Sequence, residues 1–173
     1  MVSSIGNVKL GSSLLTYNST DLGWTDENGV TIEMPGHTYT PLTVDQYGVY
    51  PLSKFDVGIE AFKVKFNLYE QTQENRVLLM PLATEVDSNK LTEGSLPGTE
   101  MSSLHGALNV HPRRLLTANK SLDLDIHAIL LEWKGEYKLG VADVQMLVVE
   151  GDAIIDTSRT VTDMLYSFGG ASS

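Results

Sequence analysis

No cysteine occurs in the 173 residues. Disulfide scaffolds, thiolate zinc sites, iron–sulfur clusters and thiol catalysis are therefore excluded together. The redox compartment stays open. No run of 18 apolar residues exists, so no segment reads as a membrane-spanning helix, and no membrane partner is expected. Bases are scarce: 12 Lys+Arg stand against 22 Asp+Glu, a formal net charge of −10. A duplex-gripping protein gains affinity by releasing counterions with Lys and Arg, and this chain carries repulsion instead. Catalytic signatures are missing too. There is no G-x-S-x-G, S-x-x-K, Walker A loop or G-x-G-x-x-G, and each is the form its chemistry takes in sequence.

The length fits one domain with an arm. Met1-Val2-Ser3-Ser4-Ile5-Gly6 shows no basic stretch followed by an apolar one, so no secretory signal is expected. The sequons at Asn18-Ser19-Thr20 and Asn119-Lys120-Ser121 then read as chance. Charge is uneven: residues 1–60 carry net −5, 61–120 net +1 and 121–173 net −6.

Strand signals dominate. Val30 to Met34 alternates after Asp26-Glu27-Asn28-Gly29, and Asn-Gly favours a tight turn with positive φ. His37 to Val44 looks extended, and its Pro41 suits an edge or a bulge. Phe55 to Leu68 is the strongest segment. Val57, Ile59 and Ala61 are apolar in one phase, and Phe62, Val64, Phe66 and Leu68 in the other. A bulge, or a passage from one sheet to another, explains the switch. One strand of that length would span roughly 46 Å, too long for a small sandwich unless it bends or projects.

Thr72 reads as an N-cap with Glu74 in the first turn, opening a helix over 73–80 that Pro81 stops. Residues 84–103 read as a long polar loop. Leu104 to Val110 is a strand, broken at His111-Pro112-Arg113-Arg114 and resumed at Leu115-Leu116-Thr117. Leu122 to Trp133 contains a mostly buried strand, Gly135 to Lys138 a turn, and Val144 to Val149 a strand continued after Gly151 by Ala153-Ile154-Ile155. Residues 157–173 read as a flexible tail. The fold class is mainly β: a β-sandwich or partial barrel with a long hairpin and one short helix.

The histidines, His37, His105, His111 and His127, lack the i, i+4 spacing of a helical zinc site. His127, in an apolar strand, reads as a core or interface residue. A metal site at His105 and His111 is a minor reading. Asp123 and Asp125 point to one face of a strand. They read as a solvated strand start rather than a glycosidase pair. Trp24, Tyr39, Tyr47 and Tyr50 are close in sequence and suggest a carbohydrate platform. A single-strand platform would need bases, and only Lys9 and Lys54 occur in residues 1–60.

The order of these segments resembles the major tail tube proteins of long-tailed bacteriophages. The residues that carry the likeness are Asp21-Leu22-Gly23-Trp24-Thr25, then Gly29-Val30-Thr31-Ile32-Glu33. Next come Asp45-Gln46-Tyr47-Gly48, the strand Val57 to Phe66, the helix opening Glu74-Asn75 and the late stretch Asp143 to Val149. The resemblance implies a non-enzymatic, ring-forming virion protein without cofactors or metal. Hexameric rings would stack into a tube, assembled in the host cytoplasm, that conducts DNA into the host. Implied partners are further copies of itself, the tape measure protein, the tail-tip and terminator proteins, and transiting DNA without specific binding. Each subunit would add about four strands to an inner barrel. Twenty-four strands at about 4.8 Å, tilted some 35–45°, give a diameter of roughly 45–52 Å.

On this reading acid charge keeps DNA from sticking. The lumen-facing candidates are Glu33, Asp56 and Glu60. Lys63 and Lys65 would point outward or pair with acids of a neighbouring copy. Residues 1–15, 84–103 and 157–173 are the expected ring-to-ring contacts. The alternatives are a tail-completion or injection-machine tube protein, a carbohydrate-binding β-sandwich, and a hydrolase using Asp123 and Asp125.

Overall fold

The computed structural model describes residues 12–43, 45–47, 49–60, 62–87, 90–94, 97–135, 145–160 and 163–170. The strands are β1 (Ser13–Tyr17), β2 (Thr20–Asp21), β3 (Thr25–Glu33), β4 (His37–Thr43), β5 (Pro51–Ile59), β6 (Lys63–Leu68), β7 (Ala83–Asp87), β8 (Lys90–Glu93), β9 (Gly106–Pro112), β10 (Leu124–Trp133), β11 (Leu147–Ala153) and β12 (Tyr166–Phe168). One helix, α1 (Gln73–Leu79), follows β6. The chain is mainly β, as its alternation requires.

The main sheet runs β2-β1-β9-β10-β11-β6-β3, with β12 also on β10 and every pairing antiparallel. β10 is its spine. Its first residues pair with β9 and β12, its last with β11. The buried positions shift phase from Leu124, Ile126 and Ala128 to Ile129 and Leu131. The β9 ladder is irregular at the same place, between Ile126 and Ile129. A bulge bends a strand and reverses its inward face, so β10 serves both halves of a sandwich. Between them lie Leu15, Leu108, Val110, Leu124 and Ile126 from one side and Val64, Phe66, Leu68, Leu131, Leu147 and Val149 from the other. Tyr17 donates its buried hydroxyl to the Ile129 carbonyl at 3.1 Å. Gly151 admits the core here: a Cβ on it would lie 2.5 Å from Leu131 Cδ2 and 2.9 Å from Ile129 Cδ1.

The helix follows from its cap. Thr72 is extended and its hydroxyl accepts from Asn75 N at 3.1 Å. Asn75 is buried, and its Nδ2 donates to the carbonyls of Leu22 and Glu70, both at 3.0 Å. α1 is thereby pinned to the corner Asp21-Leu22-Gly23-Trp24. Leu22 is fully buried there, Gly23 has φ +87°, and the Gly23 N–H donates to Asp21 Oδ1 at 2.9 Å. The stretch on which the expected resemblance rests is thus a structural corner.

Several expectations are corrected. Residues 84–103 are not a continuous loop: β7 and β8 form an exposed hairpin, and Ser102–Leu104 is a 3-10 turn. The alternation there is too polar to mark strands, because neither face of the hairpin is covered. β9 continues through His111 and Pro112, since its pairing with β1 extends to Ser13↔Pro112. The strand expected at Leu115 to Thr117 is turn, with Leu116 exposed. Within 157–173, β12 pairs with β10, and the Gly169 N–H donates to the Asp123 carbonyl at 2.8 Å. Of the N-terminal arm, Ser13 to Leu15 lie in β1. Residues 1–11, most of the expected turn at 135–138, and Asp143-Val144 lie outside the described residues.

Candidate functional site

The expected long strand is two strands, β5 ending at Ile59 and β6 starting at Lys63. β6 enters the sandwich, while β5 leaves it and, among the described residues, pairs with β4 alone. The phase switch therefore marks a passage between sheets. Every residue of β4 and β5 is exposed, so the two strands form a ribbon that projects from the body. Pro41 costs the ribbon little because each of its strands is an edge.

The ribbon is apolar for so exposed an element. Phe55 is 57% and Val57 59% exposed, and Val49 and Tyr50 at the tip reach 89% and 77%. Tyr39, Leu42, Leu52 and Ile59 are exposed as well. Register slips between Thr38 and Tyr39 and between Leu42 and Thr43 leave Val57 and Leu52 outside the one-to-one pairing. One face is polar. His37 and Tyr39 stack at 6.1 Å between ring centroids, and His37 Nδ1 lies 2.7 Å from Asp56 Oδ2. The His37 hydrogen bond, then the Gly58 N–H on Oδ1, hold the Asp56 carboxyl below the usual carboxylate range.

Glu33, Glu60 and Asp56 follow one another from the body onto this ribbon. Glu33 ends β3 opposite Lys63. Glu60 donates its N–H to the Gly36 carbonyl at 2.8 Å where the ribbon leaves the sandwich, and Asp56 lies farther out, opposite Tyr39. Glu33 shares a sheet face with Lys63, Lys65, Glu150 and Asp152, which sit directly across β6 and β11. Lys65 meets Glu150 of its own chain at 3.6 Å, so it is already engaged without a neighbouring copy.

The remaining candidates disperse. Trp24 stands at the far end of β3 from the ribbon, with the Arg113 guanidinium 4.5 Å above its ring. Tyr39 and Tyr50 ride the ribbon, so no common aromatic platform joins them to Trp24. Asp123 and Asp125 do share a face, but Asn109 Nδ2 lies 3.4 Å from Asp123 Oδ2 and 2.6 Å from Asp125 Oδ1. Asp123 is not solvated: it is 2% exposed, and its Oδ1 lies 2.6 Å from His111 Nδ1. Both its oxygens serve internal contacts, which removes it from substrate. His127, expected as a core or interface residue, has its side chain 4% exposed, with Nε2 at 2.9 Å from Asp163 Oδ1. That contact, then Arg159, lowers the Asp163 pKa. No cluster of three or more metal-ligating side chains occurs among the described residues.

Sequence reasoning missed the pairs His37–Asp56, His111–Asp123 and His127–Asp163. Asn109 and His111 alternate with Leu108 and Val110, as Asp123 and Asp125 do with Leu124 and Ile126. That alternation signals a polar face, but only the register shows which partners meet. No protein-family model matches the chain, and no curated protein matches it.

Proposed function

We propose that this chain is a structural subunit of a phage tail tube, in which copies close a hexameric ring and rings stack into a conduit for DNA. The observation that supports it is the β4–β5 ribbon. An isolated two-stranded hairpin is marginally stable at best in water. Long exposed edges with apolar side chains are templates for pairing with another chain. A ribbon presenting Phe55, Val57, Leu42 and Tyr39 to solvent is best accounted for by neighbours that complete it. The subunit then contributes β3, β6 and the ribbon to a shared barrel.

Asp56 and Glu60 on the ribbon side supply the repulsion for transiting DNA. Glu33 contributes less, since Lys63 and Lys65 share its face. The exposed β7–β8 hairpin serves ring-to-ring contact. The test is negative-stain microscopy of the purified chain over a range of concentration and salt. Long tubes of uniform bore are expected. Monomers at every condition overturn the proposal, and rings that never stack favour a tail-completion protein. Asp56→Lys with Glu60→Lys should still build tubes yet impair genome delivery; unchanged infectivity refutes the lumen role.

A further inference from the structure

The segment Asp26 to Gly29, expected as a turn ahead of a strand, is a bulge inside β3. The ladder pairs Thr25 with Leu68 and Val30 with Phe66, so four residues of β3 stand against Asn67 alone. Gly29 has the positive φ foreseen for it, +68°. Asp26, only 9% exposed, sits under the bulge as its organising group. Its Oδ1 accepts from Asn28 N at 3.1 Å, and its Oδ2 accepts from Asn28 Nδ2 at 2.9 Å and Asn67 Nδ2 at 2.8 Å. The Gly29 N–H faces the same carboxylate. Asn28 is exposed, so water reaches it.

We propose that Asn28–Gly29 is a latent site of spontaneous deamidation, with water as co-reactant, and that the Asp26 carboxylate holds it in check. An asparagine followed by glycine is open to attack by the next backbone nitrogen, because no side chain shields that nitrogen. In the reaction the Gly29 nitrogen gives up its proton and bonds to Asn28 Cγ, closing a succinimide. The Cγ–Nδ2 bond breaks, and Nδ2 leaves with the proton as ammonia. Water then opens the ring at either carbonyl, leaving aspartate or isoaspartate at position 28. One water is consumed, one ammonia is released, and no electrons are transferred.

Asp26 opposes each step. The nitrogen must lose its proton beside a negative charge, and the leaving amide is tied to Oδ2. Asn28 N is tied to Oδ1, which fixes the backbone of the bulge, and the Nδ2–Oδ2 bond keeps the side chain from swinging over the Gly29 nitrogen. Asn67 fixes the carboxylate itself. Once formed, the product has a carboxylate where Nδ2 had been a donor to Asp26. Two like charges then face each other, and β3, an edge of the main sheet, loses the contacts that close its bulge.

The test incubates the full chain at mildly alkaline pH and quantifies isoaspartate at position 28 by peptide mapping. Native protein is expected to react about tenfold more slowly than the same chain in urea, the rate equivalent of one hydrogen bond to a charged group. Asp26→Asn and Asn67→Ala should each raise the native rate, and Gly29→Ala should suppress reaction in urea. Asn67→Ala keeps the carboxylate, so it carries the test if Asp26→Asn fails to fold. Equal native and urea rates overturn the proposal. So does an unchanged native rate in a variant that circular dichroism shows to be folded.

Discussion

Replacing Phe55 by alanine separates folding of the subunit from assembly of its copies. Phe55 is 57% exposed and lies on a strand that, among the described residues, pairs only with β4. Exposed substitutions of this kind change folding stability by no more than about 0.5 kcal/mol. For a chain of this size that moves the melting temperature by roughly 1–2 °C. Assembly is affected differently. Fully burying a phenylalanine contributes about 1.5–3 kcal/mol, and somewhat over half of this ring remains to be buried by a neighbour. The loss is therefore about 1–2 kcal/mol per subunit contact, or roughly a five- to thirtyfold weakening of each. The assay pairs a thermal melt of the dissociated chain with the critical concentration for tube formation, read by sedimentation and microscopy. The expected result is an unchanged melt with a critical concentration raised by about that factor. A variant that assembles at the parental concentration refutes the role of the ribbon, and a large fall in melting temperature would mean that Phe55 packs on its own body.

Asn75→Ala should lower unfolding stability by about 1–3 kcal/mol, since it leaves the buried Leu22 carbonyl, and the part-buried Glu70 carbonyl, without their donor. Urea titration would show a shifted midpoint with unchanged slope, and a loss under 0.5 kcal/mol would remove Asn75 as the pin of the Leu22 corner. Gly151→Ala should cost about 1–3 kcal/mol by overpacking Leu131 and Ile129, and a neutral result in the same titration would contradict that close approach. Burial pushes the Asp26 carboxyl up, but Asn67, Asn28 and the N–H groups of Asn28 and Gly29 together hold it below its ordinary value. Its contribution is present above the unfolded carboxylate pKa, about 3.9, and is lost as pH falls through the lower folded value. Asp26→Asn should flatten the acid limb of the stability profile, and an unaltered limb would count against the cage.

The elements with local causes were legible. Thr72 caps α1 because a hydroxyl before a helical run has few other uses, and the structure places the helix within one residue of the expected end. The apolar phase switch between Ala61 and Phe62 announced that one long strand serves two places, and its length that one part would bend or project. What failed depends on partners far along the chain. Alternation cannot mark a hairpin that buries neither face, so β7 and β8 passed for loop. An Asn-Gly pair signals positive φ but not whether the chain reverses there, and Asp26 to Gly29 bulges while the strand runs on. The His111–Asp123 pair needs the register of β9 against β10, which no spacing encodes. Of the candidate site, Asp56 and Glu60 fell where a projecting segment was foreseen, whereas Lys65 proved to be matched within its own sheet.

The two feet of the ribbon enter the body through β3 and β6, which are themselves paired. A load applied to the ribbon pulls both strands the same way, so it does not peel them apart. Resistance falls to the six-residue register of β6 against β11, whose hydrogen bonds are strained side by side instead of one after another. A subunit anchored in this manner would tolerate tension along the ribbon far better than a sideways tug, and the weakest direction of any assembly built from it would be the one that bends the ribbon at Gly36.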